Sequence, residues 1–252
     1  MTGDEHCGEP REMPTTPSSD RLIVALDTAT VEEARGLARR LGSAAGIYKV
    51  GLELVSGGGI SFAQELVRAG NRVFLDMKLL DIPNTVERAT ANAARLGAEF
   101  LTVHGQDRKT LDAAVRGRGR SGMKLLAVTV LTSLDAADLR EQGIANRSPA
   151  ELVLDRVRLA EAAGFDGVVA SSREAAAIRK VVAAGFLIVT PGVRPAGAAA
   201  GDQARIATPA AAIRAGATHL VVGRPITAAA DPVAAAAAIC REIGEVLRHT
   251  QG

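Results

Sequence analysis

Eight short apolar runs, spaced so that helix-length segments fit between them, constrain this chain more than any other feature. They fall at residues 22–26, 47–52, 72–77, 100–103, 124–131, 167–170, 186–190 and 219–222. Most are rich in Val, Ile and Leu without polar alternation, the pattern of parallel strands buried on both faces. Parallel neighbours need long crossovers, and segments 31–41, 83–96, 149–163, 173–184 and 232–247 carry the helical patterning to supply them. Gly42, Gly97, Gly164 and Gly185 stand where left-handed C-caps belong. Eight strands alternating with helices in 252 residues predict an α/β protein with a single (β/α)8 TIM barrel. A doubly wound open sheet is the alternative, but no Gly-x-Gly-x-x-Gly follows the first run.

Composition narrows the function classes. Apolar residues make up 47% of the chain, enough for a large core, while aromatics are 2% and Trp is absent. A base-stacking surface has little to build on, and a net charge of +2 from 30 basic and 28 acidic residues is no footprint for nucleic acid. The one basic cluster, Arg116-Gly117-Arg118-Gly119-Arg120, reads as a solvated loop. Cys7 and Cys240 form no metal-spacing motif and suit a reducing, cytoplasmic setting. No apolar stretch is long enough to span a bilayer, so no membrane role is expected. Residues 1–20 are rich in Pro, Thr, Ser, Gly and charge and lack the apolar centre of a signal peptide. They are expected to be a disordered extension, with residues 21–252 forming the barrel domain.

A barrel carries its chemistry at the C-terminal ends of its strands. Those ends read Asp27, Lys49, Asp76 with Lys78, His104, Thr132 with Ser133, Ser171 with Ser172, Pro191-Gly192-Val193-Arg194 and Gly223-Arg224-Pro225. A structural barrel needs no such density of polar groups. Asp76 and Lys78, two apart in a strand, project from one face. Asp81 follows in the turn, just before a Pro suited to a first helical turn. An isolated Asp-x-Lys is more often a structural ion pair. Lys49, Asp76, Lys78 and Asp81 would form an alternating charge array if they meet at the barrel mouth, each neighbour favouring the charged form of the next. Asp27 divides evenly between a ligand role and capping the next helix. His104 reads as a structural group. Gly223-Arg224 suits a phosphate between the last two loops, where Gly admits an anion to the backbone and Arg brings a forked donor. The Ala-, Gly- and Pro-rich loop at 191–201, followed by polar residues to 209, reads as a mobile cover over a ligand.

Over residues 21 to about 248 the chain resembles the orotidine 5′-phosphate decarboxylase family. The resemblance rests on Val24-Ala25-Leu26-Asp27, Tyr48-Lys49-Val50-Gly51, Asp76-Met77-Lys78-Leu79-Leu80-Asp81-Ile82-Pro83-Asn84-Thr85 and Val130-Leu131-Thr132-Ser133. It continues in Pro191-Gly192-Val193-Arg194-Pro195, Asp202-Gln203, Thr208-Pro209 and Gly223-Arg224-Pro225-Ile226-Thr227. By that resemblance the chain would convert orotidine 5′-monophosphate to UMP, the last step of pyrimidine nucleotide synthesis, with no cofactor and no metal. Lys78 would protonate C6, with Asp76, Lys49 and Asp81 completing the catalytic set. Asp27 and Lys49 would hold the ribose, and Asp76 would lie beside the substrate carboxylate. Thr132 and Ser133 would border the pyrimidine, while Arg194, Gln203, Gly223 and Arg224 would serve the phosphate and its closing loop. Asp81 and Thr85 would complete the site of a second subunit in a homodimer. The run His104-Gly105-Gln106-Asp107-Arg108 departs from the small, Gly-rich segment usual there.

Two rival readings remain. Relatives with the same Asp-x-Lys-x-x-Asp core act on sugar phosphates with Mg²⁺, and carry an acidic residue where Lys49 stands. An ammonium at that position opposes a divalent cation. A barrel that had lost its activity would most simply have lost Asp76, Lys78 or Asp81, and all three are present.

Overall fold

The computed structural model describes residues 17–195 and 207–250, and these form a closed barrel of eight parallel strands in sequential order. The strands are β1 (Leu22–Ala25), β2 (Ile47–Gly51), β3 (Val73–Leu79), β4 (Phe100–His104), β5 (Lys124–Val128), β6 (Gly167–Val169), β7 (Leu187–Thr190) and β8 (His219–Val222). The helices of the first half are α1 (Val31–Leu41), α2 (Leu52–Ser56), α3 (Gly59–Arg68), α4 (Pro83–Leu96) and α5 (Arg108–Arg118). Those of the second half are α6 (Ala136–Glu141), α7 (Pro149–Ala163), α8 (Ser172–Arg179), α9 (Pro209–Arg214), α10 (Arg224–Thr227) and α11 (Pro232–Thr250). A short 3₁₀ turn, Ser18–Arg21, precedes β1 and lies against α11, so the fold takes in three residues before the expected boundary.

Strand parity divides the core in two. Ile23, Ala25, Ile47, Phe74, Phe100, Leu126, Val189 and Val221 fill the barrel interior. Residues of the opposite parity, such as Leu22, Val24, Tyr48, Leu75 and Leu101, join the larger cluster between sheet and helices. Because side chains alternate with period two, Lys49, Asp76 and Thr102 share the inward parity of Ile47, Phe74 and Phe100. The interior is thus apolar low in the barrel and polar at the strand ends.

Four sequence expectations are corrected. The Arg116–Arg120 cluster is not a loop up to Arg118: α5 runs through it, because Gly117 lets the helix lie against α4. A Cβ there would sit 2.2 Å from the Glu87 carbonyl oxygen. Arg116 pairs with Glu87 at 2.8 Å and Arg118 with Asp166 at 2.6 Å. Helix α8 stops at Arg179, short of 184, so Gly185 caps nothing, whereas Gly42, Gly97 and Gly164 do end helices at positive φ. Arg179 turns its guanidinium onto the carbonyls of Ala183, Ala184 and Phe186, which holds the chain in a non-helical turn. The strand expected at 124–131 ends at Val128, and the one expected to end at Met77 continues to Leu79 through an irregularity described below.

Candidate active site

A cavity of about 580 Å³ opens at the C-terminal mouth of the barrel. Its lining includes Asp27, Lys49, Asp76, Lys78, Thr132, Arg194, Gly223 and Arg224, eight of the residues expected from sequence. Gln203 lies outside the described residues. Asp81 and Thr85 are exposed on the approach to α4 and its first turn, away from this cavity, and Ser133 is exposed beside it. His104 is half-buried and does not line the cavity; burial, then Arg156 and Lys78, disfavour its protonation. Ser171 caps α8 by accepting the Arg173 N–H.

The charges form a row. Lys49 Nζ lies 2.8 Å from Asp27 Oδ1 and 3.6 Å from Asp76 Oδ2, and Lys78 Nζ lies 2.7 Å from the same Asp76 oxygen. Within one chain the alternating array is therefore Asp27–Lys49–Asp76–Lys78; Asp81 is not in it, and its Oδ1 instead accepts the Ile82 N–H. Asp27 does not cap α1, since the Thr30 side chain accepts the Glu33 N–H there. The capping alternative is thereby excluded, and Asp27 lines the cavity.

Burial makes the row demanding. The Lys49 side chain is only 8% exposed and that of Asp76 only 14%, so each charge depends on its partners. Burial by itself pushes the Asp76 carboxyl up, but the Lys49 and Lys78 charges and hydrogen bonds from Lys78 and Thr102 outweigh it, and the net shift is downward. The two ammonium groups and the Thr102 hydroxyl thus favour the charged form of Asp76. Gly51 makes the space: a Cβ there would sit 2.9 Å from Lys49 Nζ and 3.3 Å from Asp27 Oδ1. The Gly of Lys49-Val50-Gly51 thus leaves room for the ion pair, and its φ of −104° does not itself call for glycine.

After β8, which lies beside β1, Gly223 precedes the short α10, and Arg224 reaches the cavity rim from its first turn. After the neighbouring β7, Val193 bridges to Ala207 and the Arg194 N–H donates to the Ala207 carbonyl at 2.9 Å. The two ends of the 191–209 segment are thereby tied together; the expected cover between them, residues 196–206, lies outside the described residues. The run after His104 also has a structural account. Gly105 donates to the Val128 carbonyl, and Asp107 caps α5 by accepting the Thr110 N–H. Among the described residues, no group of three or more His, Cys, Asp or Glu side chains stands together as a metal site.

Sequence reasoning missed three contributors. Glu53 and Thr227 line the cavity, and Thr102 bonds to Asp76 from β4. The signal for Thr102 was parity: it is a polar residue at an inward position, opposite a buried carboxylate.

Fold and site together define a (β/α)8 barrel with a charged cavity at its strand ends, where barrel enzymes carry their chemistry. A family model described as orotidine 5′-phosphate decarboxylase / HUMPS matches residues 20–239. The orotidine 5′-phosphate decarboxylase of Methylobacterium sp. (strain 4-46) is 57% identical over 235 residues, covering 92% of this chain and 98% of the relative. That of Rhodopseudomonas palustris (strain HaA2) is 54% identical over 226 residues, covering 90% and 95%. The crystal structure of orotidine 5′-phosphate decarboxylase from Lactobacillus acidophilus aligns with a TM-score of 0.78 at 38% identity, over 88% of this chain and 98% of that one. The chain belongs to the orotidine 5′-phosphate decarboxylase / HUMPS family.

Proposed function

We propose that this chain decarboxylates orotidine 5′-monophosphate to UMP, in the last step of pyrimidine nucleotide synthesis. The observation that carries the reading is the Asp27–Lys49–Asp76–Lys78 row inside a ligand-sized cavity. The family's name spans a second group, and Lys49 separates the two. It lies between two carboxylates that a Mg²⁺ site would need for the metal, so the row favours the nucleotide substrate.

In this mechanism the bond from C6 to the carboxylate breaks and its electron pair stays in an sp² orbital at C6. The ring carbonyls cannot delocalise that pair directly. The Lys78 ammonium, beside C6, stabilises the charge as it develops and then transfers its proton to C6. Carbon dioxide leaves, and the neutral amine regains a proton from water. Asp76 chiefly positions the two lysines. Asp27 and Lys49 take the ribose hydroxyls, and Thr132 and Ser133 border the pyrimidine. Gly223, Arg224 and Gln203 take the phosphate, with Arg194 at the base of the closing segment. The reaction uses no cofactor and no metal.

The active unit is a homodimer in which Asp81 and Thr85 enter the neighbouring site. Their exposure outside their own cavity supports this, as do Leu52, Leu80 and Ile82, which are 52%, 50% and 67% exposed. Apolar side chains grouped around a charged mouth are suited to a partner's cover. The test uses two variants. Lys78→Ala should lower turnover by at least about 10³-fold while nucleotide binding survives. Mixed with inactive Asp81→Ala protomers it should regain activity, because one hybrid site is then intact. Near-normal turnover of Lys78→Ala would refute the proton-donor role, and no recovery despite proven subunit exchange would refute the shared site.

A further inference from the structure

Strand β3 leaves regular register where the site is built. Leu75 pairs with Leu101 and Leu79 with Val103, so four steps along β3 match two along β4. Two extra residues form a bulge, and an even insertion keeps Lys78 on the inward parity of Asp76. Inside the bulge Lys78 takes φ +47°, the one non-glycine residue at positive φ among the described residues. A left-handed lysine persists only where its surroundings over-determine it.

Thr102 supplies that determination. It is the β4 residue between the two register pairs, and it is fully buried. Its Oγ1 accepts the backbone N–H of Lys78 at 2.9 Å and donates to Asp76 Oδ1 at 2.8 Å. One hydroxyl thus uses its donor on the central carboxylate and an acceptor lone pair on the strained residue that carries the amine. The other Asp76 oxygen remains for Lys78 and Lys49.

We propose that Thr102 is a positioning residue for the reaction: its hydroxyl orients the Asp76 carboxylate and locks the bulge that aims Lys78 into the cavity. This role rests on the decarboxylase reading above. Valine would match the volume of Thr102 and leave both the Lys78 N–H and Asp76 Oδ1 without their partner, whereas serine would keep both bonds.

The experiment compares Thr102→Val and Thr102→Ser with the unaltered protein, by steady-state decarboxylation of orotidine 5′-monophosphate across pH and by UMP affinity. For Thr102→Val, kcat should fall about 10- to 100-fold, the effect of losing a charge-assisted hydrogen bond. KM and UMP affinity should stay within about threefold, because positioning acts on the reacting state. The acid limb of the kcat profile should move to higher pH, since one bond holding Asp76 ionised is gone. Thr102→Ser should restore both kcat and the limb. If the Val variant does not fold, Thr102→Ala makes the same comparison without the branched side chain. A kcat within about threefold of the unaltered protein in the hydroxyl-free variant, or a Ser variant as impaired as Val, overturns the role. An unaltered protein that does not act on orotidine 5′-monophosphate overturns the decarboxylase reading and this role with it.

Discussion

Lys49 and Asp76 illustrate how one buried charge makes the next tolerable. Each has little exposed surface, and each touches two opposite charges, Asp76 bonding Lys78 while Lys49 bonds Asp27. Removing one member leaves another buried and unpaired, a loss larger than that of a surface ion pair. Space matters as much as charge. Gly51→Ala places a methyl against Lys49 Nζ, the mobile end of a long side chain, at a residue whose φ and ψ suit alanine. The fold should therefore tolerate the change while the ion pair moves. We expect melting within about 2 °C of the unaltered protein and kcat/KM lower by about tenfold or more. Unchanged kcat/KM would mean that the Lys49–Asp27 geometry is not needed for turnover. The polar strand ends were legible in sequence because parallel strands bury both faces, so any charge there stands out. Thr102 showed only its inward parity, since threonine is an ordinary strand residue and its partners emerge only once β3 and β4 are in register.

At the scale of elements, the strands could be read almost to their ends, because a run of β-branched and Leu residues bounded by helix starts has few alternatives. Helix ends set by local chemistry were legible too: Gly97 and Gly164 close α4 and α7 in the left-handed conformation. What resisted was anything decided by a distant partner. The β3 bulge depends on a hydroxyl 24 residues from Lys78, and the course of α5 through Gly117 depends on the close approach of α4. The base of β8 holds a further such case. His219 shares the interior with Phe100, edge to face at a ring separation of 5.4 Å, and Thr218 Oγ1 lies 3.0 Å from its Nδ1. Burial, with help from Arg21 and Arg72 against Glu99, lowers its pKa from 6.5 to about 4. The unfolded chain then binds the extra proton first, so this residue's contribution is at its plateau above pH 6.5 and is lost as pH falls toward 4. The loss is on the order of 3 kcal/mol. Denaturant titrations of His219→Gln and the unaltered protein should differ in slope across that window; parallel curves would mean that His219 is not buried neutral.

The whole molecule separates stability from chemistry along the barrel axis. The strand starts carry a structural network in which Arg72 pairs with both Asp20 and Glu99. The strand ends carry the cavity, with the β2–β3 side presenting exposed apolar residues beside Asp81. This division is that of barrel enzymes generally, and it left the architecture readable from the spacing of eight apolar runs. Two aspects of the whole were beyond spacing alone: which carboxylate closes the array within one chain, and how the ends of the 191–209 segment meet through Val193 and Ala207. Both are settled by three-dimensional proximity between segments with no common local pattern. The most direct test of the account is the change in absorbance of orotidine 5′-monophosphate on adding the purified protein in excess EDTA. Rapid, complete conversion to UMP is the predicted result. No conversion under those conditions, with activity on a sugar phosphate once Mg²⁺ is supplied, would contradict it and assign the Asp27–Lys49–Asp76–Lys78 row to a different reaction.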